Sequence, residues 1–270
     1  MNLAEARGYV FQALRQTGWN QVVNLASSVG IEKARAEQMD TSRHLGDGRQ
    51  FLARGEESLI SEVIWGLIIQ GILIPGFDDA NQGWPFLRLT EYGRQCIEAD
   101  TLLPHDPDGY LREFRKTVPN ADRVVVEYLT ESLQCYIHGL YRAAAVMLGG
   151  ASEQAVLLLI DSCGDSIGNA VDKQNFKSEV ENAPTIFRKY ALFEKRLSKT
   201  RSHLPTPLKE NLDSLLRGVF DLIRASRNDA GHPASGVSVG QDTVYSHLRL
   251  FVPYYERIYD LVDWFSTNRT

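Results

Sequence analysis

The chain has 270 residues, enough for one large domain or two of ordinary size, because single cores stop growing near about 250 to 300 residues. With 43% hydrophobic and 23% charged residues and a net charge of −5, it reads as a globular protein of two domains, which excludes collagen-like, disordered and disulfide-scaffold classes. The longest apolar stretch, Val63 to Ile74, is interrupted by Gly66, Gln70 and Gly71 and falls short of the roughly 20 residues that a bilayer demands. The start, MNLAEARGYV, has no basic segment followed by an apolar one, so the expectation is a cytoplasmic protein without a membrane span. Cys96, Cys135 and Cys163 are odd in number and widely spaced, as expected of buried thiols and not of disulfides or a metal site.

Charge is uneven. Residues 1–110 carry nine Lys/Arg against fifteen Asp/Glu, whereas the remainder carries twenty against nineteen. A protein gripping duplex DNA through its N-terminal half would show the opposite sign there.

In chain order, Leu3, Tyr9, Val10, Ala13 and Leu14 recur at helical spacing. Val22, Val23, Leu25 and Ala26 suggest a second, short helix, and a polar loop is expected near Leu45 to Gly55. In ESLISEVIWGLIIQGILIPG, Leu59, Val63, Leu67 and Ile68 form a stripe that Gly71 stops before an apolar strand at Ile72 to Ile74. FDDANQGWPF reads as a loop, FLRLT as a returning strand, and EYGRQCIEA as a helix with Thr90 as its N-cap.

Helix, strand, loop, strand and helix in that order resemble a winged helix-turn-helix domain, and LTEYGR, Leu89 to Arg94, is similar to the L-T-x-x-G corner after the wing. The resemblance covers roughly residues 57 to 100 and implies a helix that would enter the DNA major groove. The sequence departs from that use. No Lys or Arg occurs from Glu56 through Gly76, while Glu56, Glu57, Glu62, Asp78 and Asp79 are acidic. A protein-interaction or structural winged helix is therefore favoured over a DNA reader.

Pro104, Pro107 and Pro119 are expected to interrupt regular structure, which places a linker at 106–121 between an N-terminal domain, 1–105, and a C-terminal one, 122–270. Beyond it five helices are expected: Asp122 to His138, a nearly all-apolar Leu140 to Cys163, Thr185 to Lys199, Thr206 to about Ala230, and Thr243 to Phe265. Thr206 is read as an N-cap with Pro207 at the first helical position, and Pro253 should kink or split the last helix. The fold class is mainly α: a small β-winged N-terminal unit, then an all-α bundle of four to five helices.

Phosphate loops, GxGxxG, GxSxG, HExxH and clustered metal ligands are all absent from the sequence, so no cofactor is expected. Gly149-Gly150, inside an apolar helix, suits close packing better than phosphate binding. One segment stands apart, Arg224-Ala-Ser-Arg227-Asn228-Asp229-Ala230-Gly231-His232-Pro233. Arg227 follows Val219 and Ile223 at steps of four, so its charge lies at the edge of a buried face. His232 would point about 140° away in a continuous helix, but Gly231 and Pro233 could let it fold back toward Arg227.

R-N-x-x-x-H, with Arg227, Asn228 and His232, resembles the motif of the HEPN superfamily of helical domains, and RAAAVMLGGASEQAVLLLID looks like the second helix of many bacterial members. The resemblance covers about residues 120 to 266. It implies a metal-independent endoribonuclease that acts as a homodimer and leaves a 2′,3′-cyclic phosphate and a 5′-hydroxyl. In that reading His232 moves protons, Arg227 stabilises phosphorane charge, Asn228 orients His232 or the scissile phosphate, and Arg224 contacts RNA phosphate. An attached interaction module would suit a bacterial toxin or phage-defence effector with a partner protein.

The same residues also fit a structural role, in which Gly231 is a left-handed cap and Arg227 pairs with Glu153. Two further classes stay open: a non-catalytic scaffold, and a DNA-binding regulator. The basic face Arg188, Lys189, Lys195, Arg196, Lys199 and Arg201, with Tyr190 and Phe193 among it, could guide RNA or simply be solvated. Tyr254, Tyr255, Tyr259, Trp264 and Phe265 fit a dimer interface or the core. Trp84-Pro85 fits a partner anchor or a cover over the sheet.

Overall fold

A computed structural model of the chain describes residues 1–16, 18–40, 47–98, 104–210, 212–232 and 239–270. It is mainly helical, and its described strands form one two-stranded sheet. Two compact units emerge: Met1–Glu113 with Ile137–Gly139, and Phe114–Tyr136 with Leu140–Thr270.

The first unit opens with α1 (Leu3–Leu14), started by a reciprocal cap in which the Asn2 side chain accepts from Glu5 N–H and the Glu5 carboxylate accepts from Asn2 N–H. Then come α2 (Val22–Ala36), α3 (Glu56–Ile69), β1 (Leu73–Pro75), β2 (Leu87–Leu89) and α4 (Glu91–Glu98). At fifteen residues α2 is longer than its apolar start implied, because Val29 and Ala34 also enter the core. Gly71 ends α3 with φ +71°, its N–H bonding Ile68 O at 3.0 Å while Ile72 N–H bonds Leu67 O at 2.9 Å. β1 and β2 pair antiparallel, Leu73 opposite Leu89 and Pro75 opposite Leu87.

Thr90 joins the hairpin to both helices. Its hydroxyl donates to Gly71 O at 2.6 Å and accepts from Gly93 N–H at 2.8 Å, so it caps α4 as expected. Gly93 is required for contact: a Cβ there would stand 2.1 Å from Ile72 O. The L-T-x-x-G spacing thus has a local physical cause. The core beneath is Val10, Leu14, Leu25, Val29, Ile60, Ile64, Leu67, Ile72 and Leu87.

Residues 107–117, placed in a linker by their prolines, form α5 (Pro107–Thr117). Pro107 occupies the first helical position, where its missing N–H leaves no bond unmade, and Asp106 accepts from Gly109 N–H at 3.1 Å.

The second unit contains α6 (Arg123–Ile137), α7 (Tyr141–Ser166), α8 (Ala170–Asn182), α9 (Ile186–Thr200), α10 (Thr206–Lys209), α11 (Val219–Gly231) and α12 (Gln241–Thr267). Helix α8 was not expected; its few apolar residues hide the period, and Asn169 caps it by accepting from Val171 and Asp172 N–H. Helix α7, not the 63–74 run, is the longest apolar element, long and apolar enough by length and composition to cross a membrane. More than half of its most apolar window is buried, chiefly by α11 and α12.

The expected single helix from Thr206 to Ala230 is broken. Pro205, not Thr206, is the N-cap of a one-turn α10, Glu210 turns extended at ψ 129°, and Ser214–Gly218 is π-helical before α11 begins. The wider π turn shifts the helical phase, so Phe220 is buried whereas Leu222, two residues on, is exposed. Helix α12 runs through Pro253 unbroken, because Pro253 and Arg249, whose carbonyl a proline leaves unpaired, both face solvent. Tyr254, Tyr255 and Phe265 belong to the core. Cys96 and Cys163 are buried, but Cys135 is only half-buried.

Candidate functional site at the end of helix α11

Val219 and Ile223 bury one line of α11, and Arg227 continues that line to the rim of the unit, where its side chain is half exposed. Its aliphatic stem lies on Gly149 of α7. A Cβ at Gly149 would stand 2.5 Å from Arg227 Cγ and 2.7 Å from its Cβ, so this position admits only glycine without moving the arginine. One turn along α7, the Glu153 carboxylate lies 3.5 Å from Arg227 Nη2. Arg227 Nη1 donates to Asn228 Oδ1 at 3.3 Å. Gly150 serves packing in the same way, with Tyr128 of α6 against it. The pair Gly149-Gly150 lets helices approach, as its apolar surroundings suggested.

Arg224, which the resemblance assigns to RNA phosphate, already has protein partners. Its guanidinium carbon lies 4.9 Å from the Phe187 ring centroid, and its Nη2 lies 3.5 Å from Asp221 Oδ1. Arg217 also reaches Phe187, at 5.4 Å, and pairs with Asp221 at 3.0 Å and with Glu194. Burial lifts the Glu194 carboxyl above its ordinary value, although Arg217 beside it pulls the other way. Sequence reasoning missed this cluster. The signal was present in the i, i+4, i+7 spacing of Arg217, Asp221 and Arg224, which sets them on one helix face.

His232 is placed differently from expectation. Helix α11 continues through Gly231, which takes no left-handed conformation, and His232 is the C-cap at φ −112°, ψ 107°. Its N–H bonds Asn228 O at 2.9 Å, so the helical ladder persists where a fold-back was expected. The imidazole is exposed and makes no hydrogen bond to Arg227 or Asn228 among the described residues. Pro233 lies outside them. Arg227 and Asn228 are thus brought together, while His232 stands one turn on at the open helix end.

On α9, Arg188, Lys195 and Lys199 are exposed, but Tyr190 and Phe193 are buried and offer no stacking surface to a base. Beside them a groove of about 230 Å³ mixes Lys195, Arg196 and Lys199 with Asp172 and Glu179. Among the described residues no group of three or more His, Cys, Asp or Glu is placed to hold a metal ion. Comparison with family models, curated proteins and solved structures finds no match.

Proposed function

We propose that the chain is a metal-independent endoribonuclease of HEPN type that acts as a homodimer, with an N-terminal winged-helix unit. The observation that carries this reading is the helix end itself: an arginine braced by Gly149 and Glu153, an asparagine hydrogen-bonded to it, and an exposed imidazole at the next turn. The helix, hairpin and helix of α3, β1, β2 and α4 support the winged-helix part. Exposed Glu57 and Glu62 on α3 speak against phosphate contact by that helix.

In the reaction, the RNA 2′-oxygen forms a bond to the adjacent phosphorus as the bond from phosphorus to the 5′-oxygen breaks. One His232 takes the 2′-hydroxyl proton and the His232 of the second copy supplies a proton to the leaving oxygen. Arg227 offers its planar pair of N–H donors to the charged phosphorane oxygens, once it exchanges Glu153 for phosphate. Asn228 holds the guanidinium in the orientation its hydrogen bond defines. Products are a 2′,3′-cyclic phosphate and a 5′-hydroxyl, chemistry that suits a toxin or defence effector.

The pairing of Arg227 with Glu153 also favours a second reading, a non-catalytic scaffold in which the arginine serves the fold. Incubating purified protein with a mixed RNA panel including tRNA, in EDTA, separates the two. Cleavage with cyclic-phosphate ends, lost in folded Arg227→Ala and His232→Ala, supports the ribonuclease. No cleavage, or cleavage that survives both substitutions, overturns it.

A further inference from the structure

The first unit presents an aromatic feature that neither its own core nor the ribonuclease reading uses. Trp65, on α3, and Trp84, in the connection between β1 and β2, stack with ring centroids 5.1 Å apart and planes 19° from parallel. Each is nevertheless about half exposed, at 49% and 47%. Ile69, one turn beyond Trp65 on the same face of α3, is 83% exposed. Large apolar side chains left in water together mark a surface that another molecule covers.

The connection that carries Trp84 is ordered by its own bonds. Gly76 N–H bonds Phe86 O at 2.8 Å and Phe77 N–H bonds Asn81 O at 2.7 Å. Asp78 Oδ1 accepts from the backbone N–H groups of Ala80 and Asn81 and from the Asn81 amide. The indole pair is therefore held ready before any partner arrives, which lowers the ordering cost of binding.

Charge identifies the occupant. Between Arg54 and Arg88 there is no Lys or Arg, and exposed Glu62, on the Trp65 face of α3, and exposed Asp79, in the loop, make no ion pair among the described residues. Two half-exposed indoles, with Glu62 one turn before Trp65 on the same helix face and Asp79 in the loop that carries Trp84, suit a cationic side chain, which gains from both a ring and a carboxylate. An RNA or DNA backbone would be repelled by the same carboxylates.

We propose that the Trp65 and Trp84 pair is the anchor of a docking site for a basic segment of a partner protein, one that lays an arginine or lysine on the indoles and apolar residues on Ile69. This holds whether or not the second unit cleaves RNA.

The test pans phage-displayed random dodecapeptides against the full-length protein, with counter-selection on Trp65→Ala/Trp84→Ala. Circular dichroism melts check the fold of the variant, which two half-exposed positions should leave intact. The expected result is that peptides requiring the tryptophans are enriched in Arg or Lys, and that their affinity falls about tenfold or more in Glu62→Lys/Asp79→Lys. Tryptophan-dependent peptides that are neutral or acidic, or none at all, overturn the proposal. So do two other outcomes: self-association, followed by sedimentation, that is lost in the tryptophan variant, which makes a second copy the occupant, and single-stranded RNA or duplex DNA binding that depends on the same two residues.

Discussion

Arg227 occupies the space that a side chain at Gly149 would fill: a Cβ on Gly149 would stand 2.5 Å from Arg227 Cγ. Substituting Gly149→Ala forces the arginine off α7 and away from Glu153. Overpacking of this kind costs about 1–3 kcal/mol, and RNA cleavage should fall toward the level of Arg227→Ala. Urea unfolding of the two single variants and their double should show coupling above about 0.5 kcal/mol, because the residues touch; additivity would mean that they do not.

Glu153, one turn along α7 from Gly149, restrains the guanidinium of the same arginine. Glu153→Gln should change stability by no more than about 1 kcal/mol, since the pair is partly exposed. It should tighten binding of a single-stranded oligoribonucleotide and steepen its salt dependence, because one phosphate contact is released from competition. Fluorescence anisotropy at several salt concentrations measures both, and unchanged affinity would place Arg227 outside the RNA path.

The first unit should be acid-labile. Burial alone would raise the Glu56 carboxyl, but hydrogen bonds from the Met1 amine, Ala53 N–H and Lys33 hold it down at about 2, from 4.5. The folded state keeps this carboxyl ionised, so its stabilisation is complete above about pH 4.5 and is lost as pH falls toward 2. His105 is lowered from 6.5 to about 3 by burial and by Arg7, whose Nε donates to the His105 carbonyl. The unfolded chain takes up that proton first, so stability also declines from pH 6.5 down toward 3. Melting midpoints between pH 7 and pH 3 should show both, with Glu56→Gln flattening the lower range and His105→Gln the upper.

At the hairpin corner, Gly93→Ala should be worse than Thr90→Val. A methyl 2.1 Å from a backbone carbonyl has to move β1 or α4, whereas loss of the Thr90 cap costs about 1 kcal/mol. Thermal melts followed by circular dichroism rank the two, and equal midpoints would contradict the close approach.

Thiol labelling should be selective. Burial pushes Cys96 up to about 11 and Cys163 up to about 12, and both are enclosed, while Cys135 is half-buried. Under native conditions a thiol reagent should modify Cys135 first, and mass mapping of early adducts checks it.

Periodicity and capping determined much of this protein locally. The helix stopped by Gly71, the cap at Thr90, and the apolar α7 follow from side-chain chemistry within one or two turns, which neighbouring residues decide among themselves. The approach of Arg227 to Glu153 was also legible, since a charge continuing a buried line at steps of four needs a partner on the adjacent helix. Tertiary structure decided the rest. The break at Glu210 and the π turn after it set the phase of α11 through packing on α7 and α12, and no local pattern announces them. Gly231 stays helical and leaves His232 in solvent because a glycine's backbone accepts either course at little cost, so the sequence alone could not choose. Trp65 and Trp84, nineteen residues apart, become a stacked pair only when the hairpin folds back beside α3.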